Sequence, residues 1–271
     1  MVTVLDSIIA GVREDLAERK RSLPLPELRQ RTAEAAPALD AHAALQNGRA
    51  DTSGVRIISE VKRSSPSKGS LAPITDPSAL AAAYESGGAS VISVLTEQRR
   101  FNGSLEDLAA VRAAVQIPVL RKDFMVDEYQ FYEARAYGAD LVLLIVAALY
   151  DAQLREFMDL THQLGMHALV EAHTEEEIER AVSAGATIVG VNVRDLKTLD
   201  VDVAHYSAMA RHLPADVVRV AESGVDGAAV VRDYADQGAD AVLVGEALVR
   251  HGDPEAAVRE FRAVSLNKEG M

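Results

Sequence analysis

Four stretches of the chain share one phrase: GGASVISVLTE (Gly87–Glu97), YGADLVLLIVAAL (Tyr137–Leu149), AGATIVGVNVRDL (Ala184–Leu196) and QGADAVLVGEALV (Gln237–Val249). In each, a Gly-Ala pair leads into a short run of Val, Ile and Leu. The glycine suits the left-handed C-cap of a helix, and the unbroken β-branched run suits a strand buried on both faces, as in a parallel sheet. The phrase therefore reads as helix end, loop, strand. It recurs about every 50 residues, too long for one βα unit but right for two units of about 25.

The intervening strands can be found between the echoes. They are Val55–Lys62 (VRIISEVK), Pro118–Phe124 (PVLRKDF), His167–Ala172 (HALVEA) and Val217–Ser223 (VVRVAES). Helix signals fill the remaining segments: Asp76-Pro77 as N-cap and first-turn proline, Ser104 with Asp107, Asp151 before AQLREFMDL, and a capping box from Thr174 and Glu177. Eight strands alternating with helices predict a (β/α)8 TIM barrel. A doubly wound open sheet would need a Gly-rich turn after the first strand, and no GxGxxG occurs there. The chain is read as one barrel domain over residues 1–271, with residues 1–50 as an N-terminal helical extension.

In that extension Leu5, Ile8, Ile9, Val12 and Leu16 share one helical face, and most charges lie elsewhere. Such a helix must dock, as a cap under the barrel, an oligomer contact or a lid over the mouth; its spacing does not choose among them. Pro24 and Pro26 break it, and Glu27–Gln46 is a weaker, Ala-rich helical stretch.

Composition excludes several functions. The 271 residues carry 41 Asp and Glu against 28 Lys and Arg, a formal charge of -13, with no cysteine and no tryptophan. An acidic chain without a long basic run lacks the positive face that nucleic acids and anionic membranes require. Disulfides and thiolate metal sites are ruled out. The longest apolar run, Leu141–Leu149, falls far short of the roughly 20 residues that span a bilayer, and the N-terminus lacks the marks of a secretion signal. A cytoplasmic protein is expected. Neither HExxH nor a histidine cluster offers metal-ligand spacing. His42, His162, His205, His212 and His251 fall in helical or loop stretches and read as solvated.

In a barrel, chemistry sits at the C-terminal ends of the strands. Strand one ends with Glu60 and Lys62, two residues apart and so on one face. Strand two ends with Thr96-Glu97, strand three with Lys122-Asp123, strand five with Glu171, strand six with Asn192 and Arg194, strand seven with Glu222-Ser223 and strand eight with Gly245-Glu246. Charges converging without partners are costly, so two lysines and three glutamates at one mouth make a salt-bridge network or a catalytic site. The catalytic reading is preferred, because the strand beginnings on the opposite face are apolar or small. The turns at Gly224 and Gly245 suit a phosphate held by backbone N–H groups, provided that Glu246 points away. The hydroxyl-rich basic loop Arg63–Gly69 is a further candidate anion contact. Phe101, Phe124, Leu143, Leu196 and Leu199, at or just beyond strand ends, suggest an apolar patch for an aromatic substrate.

These motifs resemble the indole-3-glycerol phosphate synthase family of tryptophan biosynthesis. The resemblance rests on ISEVKRSSPSKG (Ile58–Gly69), SVLTEQRRFNGS (Ser93–Ser104), PVLRKDF, ADLVLLIVAAL (Ala139–Leu149), LVEAHTEEE (Leu169–Glu177), GVNVRDLKTLDVD (Gly190–Asp202), AESGV (Ala221–Val225) and VLVGEALV (Val242–Val249), in order along the eight strands. It implies ring closure of 1-(2-carboxyphenylamino)-1-deoxyribulose 5-phosphate to an indole, with loss of carbon dioxide and water. It further implies that Lys122 is the general acid at the ketone and Glu171 a base or acid in the dehydration. Lys62 would hold the substrate carboxylate and could donate a proton; Glu60 would orient Lys122 or Lys62. Asn192 and Glu222 would fix the amine and hydroxyls. Ser65, Arg194, Ser223, Gly224, Gly245 and Glu246 would line the phosphate end and the five apolar residues the ring, with the N-terminal extension on the active-site side. A lysine–glutamate constellation needs no metal or organic cofactor for this chemistry, and a lysine among cations would have its pKa lowered, the glutamates opposing. The chain is read as a monomer acting on a small phosphorylated aromatic substrate.

Other barrels fit less well. A phosphoribosylanthranilate isomerase would place a Cys-Asp or Asp pair at the mouth, and this chain has no cysteine and no strand-one Asp. A Schiff-base aldolase would carry a strand-six lysine, where this chain has Asn192 and Arg194. A non-catalytic scaffold would not need Lys122 and Glu171 together.

Overall fold

The computed structural model describes residues 3–46, 54–66, 69–71, 74–195, 200–250 and 252–264. Eight parallel strands close into a barrel: β1 (Arg56–Val61), β2 (Val91–Leu95), β3 (Val119–Lys122), β4 (Leu141–Ile145), β5 (His167–Ala172), β6 (Ile188–Asn192), β7 (Val218–Glu222) and β8 (Ala241–Val244). Each pairs with the next, and β8 returns to β1 through the register Arg56 with Ala241 to Ser59 with Val244. All eight expected strands are present. The echo glycines behave as expected too: Gly88, Gly138, Gly185 and Gly238 have φ of 97, 90, 87 and 89°. A residue with a Cβ would strain these turns, which deliver the chain from helix to strand.

Alternation along each strand sorts its side chains between two cores. Ile58, Leu120, Leu143, Leu169 and Val220 fill the barrel interior, whereas Ile57, Ile92, Val142, Val170 and Val242 point outward beneath the helices. Two outer helices start where their caps predict, whereas the helix Asp151–Gln163 takes in Asp151 and has Tyr150 as its N-cap. Asp76 Oδ1 accepts from the Ala79 N–H at 3.0 Å ahead of α4 (Pro77–Gly87), and Ser104 Oγ from that of Asp107 at 3.1 Å ahead of α6 (Leu105–Ala114). The short α5 (Gln98–Phe101) precedes α6.

The N-terminal extension serves both ends of the barrel. Helix α1 (Val4–Ser22) buries Ile8, Val12 and Leu16, and Ile8 and Val12 cluster with Val126 just beyond β3. It lies over the mouth, where Val4, Leu5 and Ile8 line the cavity, the position of a lid and not of a cap under the barrel. Pro24 caps and Pro26 opens α2 (Leu25–Glu34), so the prolines start a helix as well as ending one. The stretch after it holds α3 (Ala41–Leu45), whose Ala41 and Leu45 join the interior cluster from below. Leu45 is fully buried there, a contribution of about 1.5–3 kcal/mol. A bottom plug therefore exists, built by a helix other than α1.

The strand beginnings around this plug are not simply apolar or small. Asp140, 1% exposed, pairs with Arg112 at 2.6 Å and accepts from the Val119 N–H at 2.8 Å. Asp240, equally buried, accepts from the Arg219 N–H at 3.0 Å. These carboxylates tie neighbouring strand beginnings together, so the floor holds a structural ionic network as well as an apolar plug.

Candidate active site

Strand alternation carries Glu60, Lys122, Glu171, Asn192 and Glu222 inward at the mouth, where with Lys62 they line one cavity. Lys122 is its centre. Its Nζ donates to Glu222 Oε2 at 3.0 Å and lies 3.9 Å from both Glu60 Oε1 and Glu171 Oε2. Lys62 pairs with the other oxygen of Glu60. Lys122 is also the deeper lysine, its side chain 13% exposed against 23% for Lys62.

The electrostatics reverse one expectation. Burial by itself would lower the Lys122 pKa, but Glu222, Glu60 and Glu171 outweigh it and raise the pKa above the ordinary lysine value. Glu60 is likewise buried, which favours its acid form, yet Lys62 and Lys122 hold its pKa below the usual carboxylate range. Glu222 moves the other way. Burial and the neighbouring Glu171 lift it to about 7 in spite of Lys122, as expected when two carboxyl groups share one cation.

Around this centre two further groups assemble. Phe101 and Phe124 stand 6.1 Å apart, centroid to centroid, and line the cavity with Leu143, beneath Val4, Leu5 and Ile8 of α1. Leu196 and Leu199 lie outside the described residues. At the other side Ser65, Arg194, Ser223, Gly224, Gly245 and Glu246 edge the same cavity. Asn192 Oδ1 accepts from the Arg194 N–H at 3.0 Å and from Ser223 Oγ at 2.8 Å, so its NH2 is the half of the amide that suits a ligand. Ser223 thereby commits its hydroxyl proton to Asn192, which makes its backbone N–H the better anion donor. Glu246 turns to Arg250 at 2.9 Å, as a nearby anion would require.

The glycines here serve the fold as much as any ligand. At Gly224, with φ 75°, a Cβ would approach Val203 to 2.8 Å; at Gly245 it would stand 3.0 Å from Glu60 Oε2.

Several polar candidates have structural employment instead. Glu97 caps α5, accepting from the N–H groups of Arg99, Arg100 and Phe101 at 3.1, 2.7 and 3.0 Å, which sets the position of Phe101. Asp123 edges the cavity, but its carboxylate accepts from Thr96 Oγ1 at 2.6 Å and pairs with Arg121 at 2.9 Å. Arg63 leaves the anion loop for Asp107 and the Ile74 carbonyl. The histidines are less solvated than expected. His42 stacks on His167 at 6.3 Å, His205 Nε2 donates to the His173 carbonyl at 2.9 Å and His212 lies 3.0 Å from Glu175. His162 is exposed, and His251 is outside the described residues.

Sequence reasoning missed two features. Arg121, only 1% exposed and pointing outward from β3, is held by Asp123, Thr96 and Glu133, and Glu133 in turn takes Arg19 of α1 at 2.7 and 3.2 Å. This chain of ion pairs fastens the lid to the strand that bears Lys122. The other is His173, one residue past β5, whose Nε2 lies 3.5 Å from Glu171 Oε1. No strand period signals it, because it lies beyond the last residue of β5.

The sequence model of the family described as indole-3-glycerol phosphate synthase matches residues 5–261. The chain belongs to the indole-3-glycerol phosphate synthase family. It is 68% identical over 265 residues to the indole-3-glycerol phosphate synthase of Micrococcus luteus, covering 98% of this chain and 99% of that one. To its counterpart from Mycolicibacterium smegmatis it is 60% identical over 259 residues, covering 96% and 93%. Among solved structures, 3-hexulose-6-phosphate synthase from Salmonella typhimurium superposes with a TM-score of 0.64 at 15% identity, over 78% of this chain and 98% of that one, a likeness of fold alone. Indole-3-glycerol phosphate synthase activity makes this chain a carboxy-lyase of tryptophan biosynthesis, closing an indole ring with loss of carbon dioxide and water. No helix among the described residues is long and apolar enough to cross a membrane.

Proposed function

We propose that Lys122 is the general acid of ring closure and that the other five inward polar residues, Glu60, Lys62, Glu171, Asn192 and Glu222, divide the remaining work around it. The observation that carries this reading is the position of the Lys122 ammonium, held among Glu60, Glu171 and Glu222 between an apolar wall and an anion-suited rim. A substrate with its phosphate at Arg194, Ser223, Gly224 and Gly245 and its aryl ring against Phe101, Phe124 and Leu143 has its ketone between them. As the aryl carbon attacks, the carbonyl oxygen becomes an alkoxide far more basic than an ammonium, and Lys122 delivers its proton there. Such acid catalysis is worth about 10²–10⁴ in rate. Departure of carbon dioxide restores the aromatic ring.

Glu171 then moves a proton in the dehydration. Lys62 holds the aryl carboxylate and is itself held by Glu60. Asn192 presents its NH2 group to substrate oxygens, and Glu222 accepts from the substrate amine or hydroxyls once its proton and Lys122 are drawn toward the ketone. No step requires a metal or an organic cofactor.

In this reading the chain is one catalytic domain over its whole length. The extension belongs to the site, because α1 roofs the ring-binding end while α3 seals the floor. With its apolar face spent on its own barrel, α1 needs no second copy, and the enzyme works as a monomer in the cytoplasm. A chain without tryptophan allows a direct test. Purified protein given 1-(2-carboxyphenylamino)-1-deoxyribulose 5-phosphate should develop indole fluorescence over a tyrosine-only background; a dark reaction at high enzyme concentration would overturn the reading.

A further inference from the structure

His173 follows β5 directly and is held on three sides. Its own N–H donates to Glu177 Oε2 at 2.7 Å, its Nδ1 lies 3.2 Å from the same oxygen, and its carbonyl is the partner of His205 Nε2 at 2.9 Å. The capping box expected from Thr174 and Glu177 is thus half displaced. Thr174 Oγ1 still accepts from the Glu177 N–H at 3.2 Å, but the Glu177 carboxylate reaches one residue further back, to His173. With both ends of the turn pinned, the ring has one free edge. Its Nε2 is buried without a hydrogen-bond partner and faces Glu171 Oε1 at 3.5 Å, while the other Glu171 oxygen lies 3.9 Å from Lys122.

We infer that His173 is a positioning residue for the known reaction: anchored by Glu177, it steers the carboxylate of Glu171 toward Lys122 and the substrate. The inference rests on the reading of Glu171 as the proton carrier of the dehydration. A buried donor without an acceptor is costly, and the Glu171 oxygen, 3.5 Å away, offers the compensation. Burial alone would lower the imidazole pKa, but Glu177, Glu171 and Glu222 together raise it, favouring the form in which both ring nitrogens donate. Glu171 is thereby gripped from two directions, by Lys122 in the cavity and by His173 from behind. Without the second grip the carboxylate can swing toward Lys122 alone, and a displacement of that kind is enough to slow a positioned proton transfer.

Two amides separate the contacts. In His173→Asn the side-chain NH2 stands where Nδ1 was, keeping Glu177 but not reaching Glu171; in His173→Gln it stands where Nε2 was. The expected result is a kcat about tenfold lower for His173→Asn with KM within about twofold of the parent, and recovery of most of that loss in His173→Gln. Combined with Glu171→Gln, His173→Asn should add nothing further. Parental kcat in His173→Asn, equal loss in both amides, or full additivity with Glu171→Gln would each overturn the inference. Near-parental turnover in Glu171→Gln alone would instead remove the role of Glu171 on which it rests.

Discussion

Lys122 donates to Glu222 at 3.0 Å while Glu60 and Glu171 stand 3.9 Å away on its other sides. One ammonium thus serves three carboxylates, of which only Glu60 has a second lysine. The shortage of cations, more than their crowding, sets the protonation of the site. It keeps Lys122 charged and ready to donate, and it leaves Glu222 holding a proton near neutral pH.

That proton couples folding to pH. The folded-state pKa of Glu222, about 7, lies above its ordinary 4.5, so between those values the folded protein keeps a proton that the unfolded chain has released. The associated stability is present in full below about pH 4.5 and is lost as pH rises through 7. Relative to Glu222→Gln, the ligand-free parent should lose up to about 3 kcal/mol across that window. Urea denaturation of both proteins at pH 5, 6 and 7.5 measures it, and parallel pH dependences would speak against the buried proton.

Gly190 in β6 makes room for that same side chain. A Cβ there would lie 2.0 Å from Glu222 Oε1, with no positive φ to complicate the substitution. Gly190→Ala should therefore displace Glu222, lowering kcat by about 100-fold and stability by about 1–3 kcal/mol. Steady-state kinetics with a thermal melt check both. An unchanged kcat would mean that Glu222 has latitude the site does not need.

The lid tether can be cut at two places with different results. Glu133→Gln removes a buried carboxylate from between Arg121 and Arg19, and leaving Arg121 underpaired should cost about 3–5 kcal/mol. Arg19→Met removes a partner whose side chain is 32% exposed, so its stability cost should be about 1 kcal/mol or less. Because α1 roofs the ring-binding end, Arg19→Met should still raise KM severalfold. Urea midpoints and KM values separate the two effects; equal destabilisation with unchanged KM would sever the lid from substrate binding.

The barrel and its inward residues were legible because both follow from short-range periodicities. A Gly-Ala turn marks alternate strands, the apolar runs between them supply the other four, and a two-residue period sends Glu60 with Lys62, and Lys122 with Leu120, to one face. The missed features answer to no such period. Arg121 points outward, where an apolar residue is the usual occupant, and its partner Glu133, with Arg19 that Glu133 holds in turn, lies far off in sequence, 12 and 102 positions away. His173 sits beyond the last strand residue, so only the folded turn reveals that its ring comes back to Glu171. Glu97 and Asp123 resembled site residues because a strand end and a helix cap draw on the same side chains. For the extension, amphipathicity showed that α1 must dock, but only the three-dimensional arrangement gives it the roof and α3 the floor.

The central claim concerns Lys122, and the most direct measurement is indole formation by Lys122→Met with substrate binding followed in parallel. Binding should stay within about tenfold of the parent, because the phosphate and ring contacts remain, while turnover falls by about 10³ or more. A variant that binds substrate and still forms indole within tenfold of the parental rate would contradict the assignment of Lys122 as the acid of ring closure.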